Sequence, residues 1–554
     1  MPIGQRSRGA STSVTHRERG THTRVTIDRS ARLALAAFIG VEVAALSLWL
    51  VLGRDQWFFS DEWDFLAGRT GGDLGDLFHP HDNHWSTVPI LVYRLLWWLF
   101  GLRTYLPYLV VVVLLHLTAA ALLRAVMRRA GVGPWLSTAA ASLFALFGAG
   151  YGDIVWAFQI GFNGSLVFGL THLLLADHDG RVDRRDWLGI VAGFAGLLCS
   201  GVGVSMVIVV GLSTLVRRGW RVAALHTVPL GLTYVAWWIS LGREDYANRD
   251  ISIAQLARFV RVGVGAAFDA MGQVPGIGLL LGILLIVGLV LAWRPLDYRQ
   301  LRARAAAPGA LLVGAVVFLL FSGAGRASLL GPEFARASRY LHVVTAMALP
   351  ALAVAADAVA RRWRVLAPLV LVVLLIGIPG NVRELADYTN RTSQGQQSYK
   401  RIVLSLPRMA IAKDVPRSVR PDPSQVDSAK ITIGWLLDGV ASGRLPDPGA
   451  INAKEAADNT FRLSLEQSDM RETSSACRPL SKQVNRRLNK GESIRIREAP
   501  VAGGSLRVSS AEGAATVALT FHPELGNAIL AVRGPLVVRL GPDNPFFLVL
   551  LCAS

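Results

Sequence analysis

Charge is scarce in this chain. Only 17% of its 554 residues are Asp, Glu, Lys or Arg, while 52% are hydrophobic. A soluble chain carries about 25% charged residues, so this composition argues against an ordinary soluble enzyme. Cysteine is nearly missing: Cys199, Cys477 and Cys552 are all there is. None has the spacing of a zinc site or a redox pair, which excludes a cysteine-rich scaffold and a thiolate metal centre. Internal repeats and low-complexity tracts are absent too. The N-terminus lacks a convincing small-residue cleavage site, and a polar arm of about 30 residues precedes the first apolar block, so it reads as a retained segment and not a cleaved signal.

What the sequence has is apolar blocks of about 17–22 residues, the length that crosses a bilayer as a helix. Spans are expected at 33–52, 105–126, 135–150, 160–177, 187–199, 201–216, 222–240, 276–293, 307–322, 340–358 and 365–379. The net charge of +18 raises nucleic acid as a partner, but arginine concentrates in the short linkers between these blocks, as the positive-inside rule requires of cytoplasmic loops. No nucleic-acid partner is expected. With the N-terminus inside, the pairs and clusters Arg128/Arg129, Arg181/Arg184/Arg185, Arg217/Arg218/Arg221, Arg294/Arg299/Arg302/Arg304 and Arg361/Arg362/Arg364 all fall on one side. That alternation supports about eleven spans in an α-helical polytopic protein of the plasma membrane.

Three regions follow. Residues 1–32 read as a disordered basic cytoplasmic tail held at anionic lipid. Residues 33–380 form the bundle, with outward segments 53–104, 241–275 and 322–339. Within the first, 85–101 is apolar and aromatic and reads as an interfacial helix. Residues 381–430 are polar and read as a loop around the bundle. From 431 onward, short alternating runs such as SLRVSS, ATVALTF, AILAVRG, PLVVRLG and FFLVLL suggest strands of a small α+β or β-sandwich domain. An odd span count puts this C-terminal domain (381–554) outside the cytoplasm, where a Cys477–Cys552 disulfide is expected.

Chemistry-bearing residues gather in one outward loop. FFSDEWD (58–64) holds Asp61, Glu62 and Asp64. Carboxylates at a dry membrane face are costly and suit general-base work once their pKa is raised. The competing reading is an acidic loop that caps a helix and pairs with outer arginines. HPHDNHW adds His81, Asp82 and His84. Spaced three apart, His81 and His84 share a helix face and with Asp61 or Glu62 could hold a divalent metal. The reading preferred for Asp82 and His84 is contact with sugar hydroxyls or with the loop itself, so no metal ligand is assigned. Arg336, Arg339 and Tyr340, where the third outer segment enters a span, are placed for a lipid phosphate, with Arg326, Arg258 and Arg261 as weaker alternatives. Gln159, after Trp156 in a short outer turn, is a sugar-binding or packing residue. Glu42 sits mid-span, and His116, His172 and His226 read as single satisfied core histidines.

Four motifs, FFSDEWD (58–64), HDNHWSTVP (81–89), WAFQIGF (156–162) and ARASRYLHV (335–343), resemble those of the GT-C superfamily of integral-membrane glycosyltransferases, in particular its many actinobacterial members. The resemblance covers about residues 1–380. It implies an outer-face enzyme that takes sugar from a polyprenyl-phosphate donor to a cell-envelope glycan or lipid acceptor. It further implies Asp61 or Glu62 as base, and Arg339 with Tyr340 near the donor phosphate. The histidine-rich HPHDNHW run departs from the better-known arabinosyl and mannosyl transferases. The alternatives are a transporter or flippase of lipid-linked sugars, for which Glu42 is the polar group within the bundle, and a non-catalytic envelope scaffold.

Overall fold

A computed structural model describes residues 29–69, 75–242, 252–421 and 430–463, and the backbone of nine strands beyond. Residues 1–28 of the expected 1–32 tail, and parts of the second outer segment and of the 381–430 stretch, lie outside the described residues; residues 29–32 already belong to the first helix.

The helices, in chain order, are α1 (Arg29–Gly53), α2 (Gly75–Phe78), α3 (Thr87–Phe100), α4 (Leu106–Arg129), α5 (Pro134–Ala145), α6 (Tyr151–Val155), α7 (Ile160–Ala176), α8 (Arg184–Leu197), α9 (Val202–Arg218), α10 (Trp220–Ser240), α11 (Ile253–Gly272), α12 (Ile277–Trp293), α13 (Tyr298–Leu330), α14 (Ser338–Arg362), α15 (Ala367–Leu375), α16 (Ile378–Ser405), α17 (Ile433–Ala441) and α18 (Ala453–Leu463). Among the described residues, eight helical segments are long and apolar enough to cross a membrane, or nine with the α11–α12 pair, which bends by 107°. The chain is built as a multi-pass membrane protein. Helices α8 and α9, at 14 and 17 residues, fall short of that length.

The basic linkers converge at one end. Arg217 pairs with Asp177 and Asp179, Arg302 donates to the carbonyls of Val216 and Arg217, and Arg361 donates to Gly131 O at 2.7 Å. The 53–104 loop packs at the other end. There, Trp237 donates to Phe78 O at 2.8 Å, and Val88 N donates to Leu198 O at 3.0 Å.

Helix α14 is the bundle's centre: apart from its charged ends, it is buried nearly throughout. Small residues let its neighbours approach, as membrane packing demands. Gly288 of α12 lies against Ala355, and Gly314 of α13 faces Met347.

Two expectations need correction. Residues 381–430 do not simply loop around the bundle, because α16 runs through Ser405. Its buried side is Asn381, Leu385, Thr389, Gln396, Tyr399 and Val403, a spacing of 3–7 that makes one helical stripe despite the polar composition. That stripe packs on the 53–104 loop: Gln396 accepts from Trp57 N at 2.8 Å, and Tyr399 meets Trp57 and Trp63 edge-on. Also, the 322–339 segment is less loop than expected, since α13 continues to Leu330 and a 3-10 turn spans Pro332–Arg336.

Beyond α18 come β1 (Leu465–Ser468), β2 (Cys477–Pro479), β3 (Val484–Leu488), β4 (Ser493–Arg497), β5 (Ser505–Ser510), β6 (Thr516–Thr520), β7 (Asn527–Val532), β8 (Leu536–Pro542) and β9 (Leu548–Cys552). They form two antiparallel sheets, ordered β1-β7-β4-β9-β2 and β3-β8-β5-β6. All five runs singled out by alternation are strands. In the β2–β9 register Cys477 stands opposite Cys552.

Candidate active site

The loop after α1 holds its shape against backbone preference. The described non-glycine residues with left-handed φ are Ser60 (56°), Asp82 (48°), Asn83 (62°) and Gln273 (55°). All but Gln273 lie in this loop. Ser60 adopts it at a cost of about 1–2 kcal/mol, while Asp82 and Asn83 are residue types that visit this region readily, and strain of the Ser60 kind gathers at functional sites. Asp82 and Asn83 form the two-residue tip of a tight hairpin closed by His81 N to His84 O at 3.0 Å and His84 N to His81 O at 2.8 Å. Positive φ at both central residues is the geometry such a hairpin needs.

Glu62 is fully buried. Its Oε1 accepts from the hydroxyls of Tyr93 at 2.6 Å and Tyr105 at 3.0 Å, and its Oε2 accepts from Phe59 N at 3.0 Å. Burial pushes its pKa up to about 8, against the opposing effect of these donors. Tyr105 in turn accepts from Ala157 N at 2.8 Å. Glu62 therefore ties the acidic motif to α3, α4 and the turn before α7, with its carboxylate facing inward.

Asp64 starts one turn of π-helix, Asp64–Gly68. Its Oδ2 accepts from Arg69 Nε at 3.0 Å and lies 2.8 Å from His81 Nδ1. Burial pushes the Asp64 carboxyl up, but the hydrogen bond from His81 and the Arg69 charge outweigh it and hold the group well below the usual carboxylate range. Arg69 spends its remaining donors on the carbonyls of Asp76, His79 and Pro80 at 2.8–2.9 Å. This one guanidinium binds the acidic motif to the histidine hairpin.

Asp61, by contrast, is only half-buried. Asp61, His81 and Asp82 each offer one ligand atom, and these atoms lie within 4.8 Å of one another. His81 is pushed down by burial, yet its hydrogen bond to Asp64 and the charges of Asp64, Asp82 and Asp61 raise it overall. With Nδ1 turned to Asp64, His81 Nε2 is buried without a hydrogen-bond partner among the described residues. The metal set considered from sequence is different: Glu62 is locked inward, and the grouped atoms come from Asp61, His81 and Asp82, without His84.

The outer arginines separate sharply. Arg336 is exposed and pairs with Glu333 at 3.0 Å, as does Arg258 at 3.4 Å. Arg339 and Arg326 are half-buried. Burial pushes His84 down to about 3, and the charges of Arg326 and Arg339 push the same way. Both arginines thus bear on the histidine hairpin. Arg339 also lies over the rings of Phe334 and Tyr340. Tyr340 itself is buried, packed among Phe259, Phe318 and Phe334. It supports Arg339 and does not open to the loop.

Sequence reasoning missed an aromatic row. Phe59 stacks on Trp156 at 5.1 Å, Trp156 on Phe158 at 5.1 Å, and Phe158 on Phe65 at 4.9 Å between ring centres. Phe59, Trp156 and Phe158 are half-buried beside Asp61 and His81. Gln159, singled out from the same motif, is buried. The signal was the WAFQ order, which puts Trp156 and Phe158 two apart in an irregular turn.

The core histidines are not single. His116 Nδ1 lies 2.9 Å from His342 Nε2, and His342 Nδ1 lies 3.1 Å from Asp153 Oδ2. His172 Nε2 lies 2.9 Å from His226 Nδ1, and His226 Nε2 lies 3.0 Å from Asp186 Oδ1. Each pair ends beside a buried aspartate; the His226–Asp186 hydrogen bond answers the cost of burying a polar ring, whereas His342 Nδ1 and the Asp153 carboxylate have no hydrogen-bond partner among the described residues.

No protein-family model matches the chain, and no curated protein does. Two solved structures align with it. One is ArnT from Cupriavidus metallidurans in the apo state, with TM-score 0.45 and 14% identity over 90% of this chain and 98% of that one. The other is ArnT from the same organism bound to undecaprenyl phosphate, with TM-score 0.44 and 17% identity over 77% of this chain and 87% of that one.

Proposed function

We propose that the protein is a membrane glycosyltransferase that moves a sugar from a polyprenyl-phosphate donor to a glycan or lipid acceptor of the cell envelope, at the outer face. The observation that carries the reading is the half-buried Asp61 on the loop after α1, beside Glu62, which is fully buried, and Asp64, which is buried against Arg69 and His81. In this reading Asp61 takes the proton from the acceptor hydroxyl. The acceptor oxygen then bonds to the anomeric carbon while the carbon–oxygen bond to phosphate breaks, and polyprenyl phosphate leaves. Arg339 and Arg326 stabilise the charge left on that phosphate, as paired guanidinium hydrogen bonds do. Phe59, Trp156 and Phe158 supply flat apolar surface for the sugar ring. His81, Asp82 and His84 set the hairpin against the acceptor.

Asp61, His81 and Asp82 also fit a divalent cation. Asp64 orients the His81 ring from behind, the arrangement that commonly supports a metal-ligating histidine, and His81 Nε2 has no hydrogen-bond partner among the described residues. A cation held there would supply positive charge to the donor's phosphate. Metal removal by chelation then lowers transfer, Mn²⁺ restores it, and the His81→Gln variant neither binds Mn²⁺ in a spin-resonance titration nor responds to it. Full activity of the metal-free protein would remove the cation from the scheme and leave Asp61 in place.

The test of the main reading is reconstitution with labelled polyprenyl-phosphate sugars. Wild type consumes donor and Asp61→Asn does not. If wild type consumes none and moves lipid-linked sugar across the bilayer, the transporter reading replaces this one.

A further inference from the structure

At the arginine-rich end, opposite the 53–104 loop, lies a cavity of about 340 Å³. It opens to the surface and is lined by the α4–α5 linker, the C-terminal ends of α12 and α14, the α12–α13 linker and the first turns of α13. Arg304, Arg361 and Arg362 line it, with Asp357 as its acid. Asp357 is already engaged: it pairs with Arg361 at 2.6 Å and accepts from Gly133 N at 3.0 Å. Arg304 and Arg362 have no carboxylate within ion-pair distance among the described residues. The cavity therefore has an excess of positive charge. Trp293 stands in the wall, and its indole N–H is buried with no acceptor among the described residues.

The walls decide what kind of anion this is. Leu291 and Val354 line the cavity, and α12 presents Leu279, Ile283, Ile286 and Val290 outward, 48–69% exposed. In a membrane that face is covered by acyl chains, and Val290 sits one turn before Trp293. An anion with attached hydrocarbon fits both parts at once: phosphate against the arginines and the indole, chains along α12. Basic pockets between membrane helices bind lipid headgroups in this way.

We propose that this cavity is a binding site for the phosphate headgroup of an anionic phospholipid, separate from the Asp61 site. The test is native mass spectrometry of the detergent-purified full chain, titrated with dioleoyl phosphatidylglycerol, dioleoyl phosphatidylcholine or inorganic phosphate. The expected result is at least tenfold tighter binding of phosphatidylglycerol than phosphatidylcholine. The double variant Arg304→Gln/Arg362→Gln loses that preference, and Trp293→Phe weakens it about threefold. Arg54→Gln/Arg103→Gln, at the other end, keeps it. Trp293→Phe removes one donor and little volume, so it carries the test if the double variant does not fold. Undiminished phosphatidylglycerol binding in either cavity variant overturns the proposal. So does displacement of the lipid by micromolar inorganic phosphate, which would make this a site for a soluble phosphoryl group.

Discussion

Tyr93 donates its hydroxyl to Glu62 Oε1 at 2.6 Å, and with Tyr105 and Phe59 N it turns that carboxylate away from the surface of the loop. Of the two adjacent acids, Glu62 is fully buried and Asp61 half-buried, and in the proposed reaction Asp61 is the one that meets substrate. Glu62→Ala strands three buried donors, each worth about 1–3 kcal/mol when left unsatisfied. Thermal unfolding should show a large drop for Glu62→Ala and a small one for Tyr93→Phe.

The raised Glu62 pKa gives stability a pH slope. The protonated form is favoured in the folded state, so this contribution is fully present below the ordinary glutamate value of 4.5 and is lost as pH rises through about 8. Wild type should unfold at falling temperature across that window. Glu62→Gln mimics the protonated acid and should flatten the slope while retaining transfer. An unchanged slope in Glu62→Gln would assign it to another group.

Asp64 and His81 act with the opposite pair of signs. Asp64 is lowered, so its contribution is present above the ordinary aspartate value and is lost as pH falls through its folded value; His81 is raised, so its contribution is lost as pH climbs through its folded value. The pair should support the hairpin most between those limits, near pH 5–6 in approximate terms. Breaking a buried pair by removing one partner costs about 3–5 kcal/mol. Asp64→Asn and Arg69→Ala should both free the histidine hairpin, read as increased proteolysis between residues 69 and 85.

Arg339 and Arg336 are three residues apart and should differ in kind. Arg336→Ala removes an exposed, solvent-screened pair with Glu333, and should leave donor KM near wild type. Arg339→Ala should raise donor KM at least tenfold. Equal effects would remove the phosphate from Arg339.

The register of β2 and β9 sets Cys477 opposite Cys552, which keeps the proposed disulfide open to test. Closing a loop of that length stabilises by about 4 kcal/mol in the chain-entropy picture. Peptide mapping of protein prepared without reductant should find the two joined, and Cys199, which is buried and free, alkylated only after unfolding.

Much of this was legible in the sequence because membranes simplify it. Apolar length marks α1, α4 and α14, and arginine position marks the shared end. Alternation marks β5 through β9. What escaped was whatever depends on which distant residues meet. Glu62 and Asp61 are neighbours of like chemistry, and only the positions of Tyr93 and Tyr105 tell them apart. His116 and His342 are 226 residues apart, so neither signals its partner. The polar α16 hid its buried stripe because its partner is a loop rich in tryptophan and not lipid.

The most direct measurement is transfer of labelled sugar from a polyprenyl-phosphate donor by reconstituted wild type, Asp61→Asn and Glu62→Gln, with folding of each checked by its unfolding temperature. Wild type and Glu62→Gln should transfer, and Asp61→Asn should fold normally and fall at least a hundredfold. A folded Asp61→Asn protein that transfers at the wild-type rate would contradict the assignment of the base to Asp61.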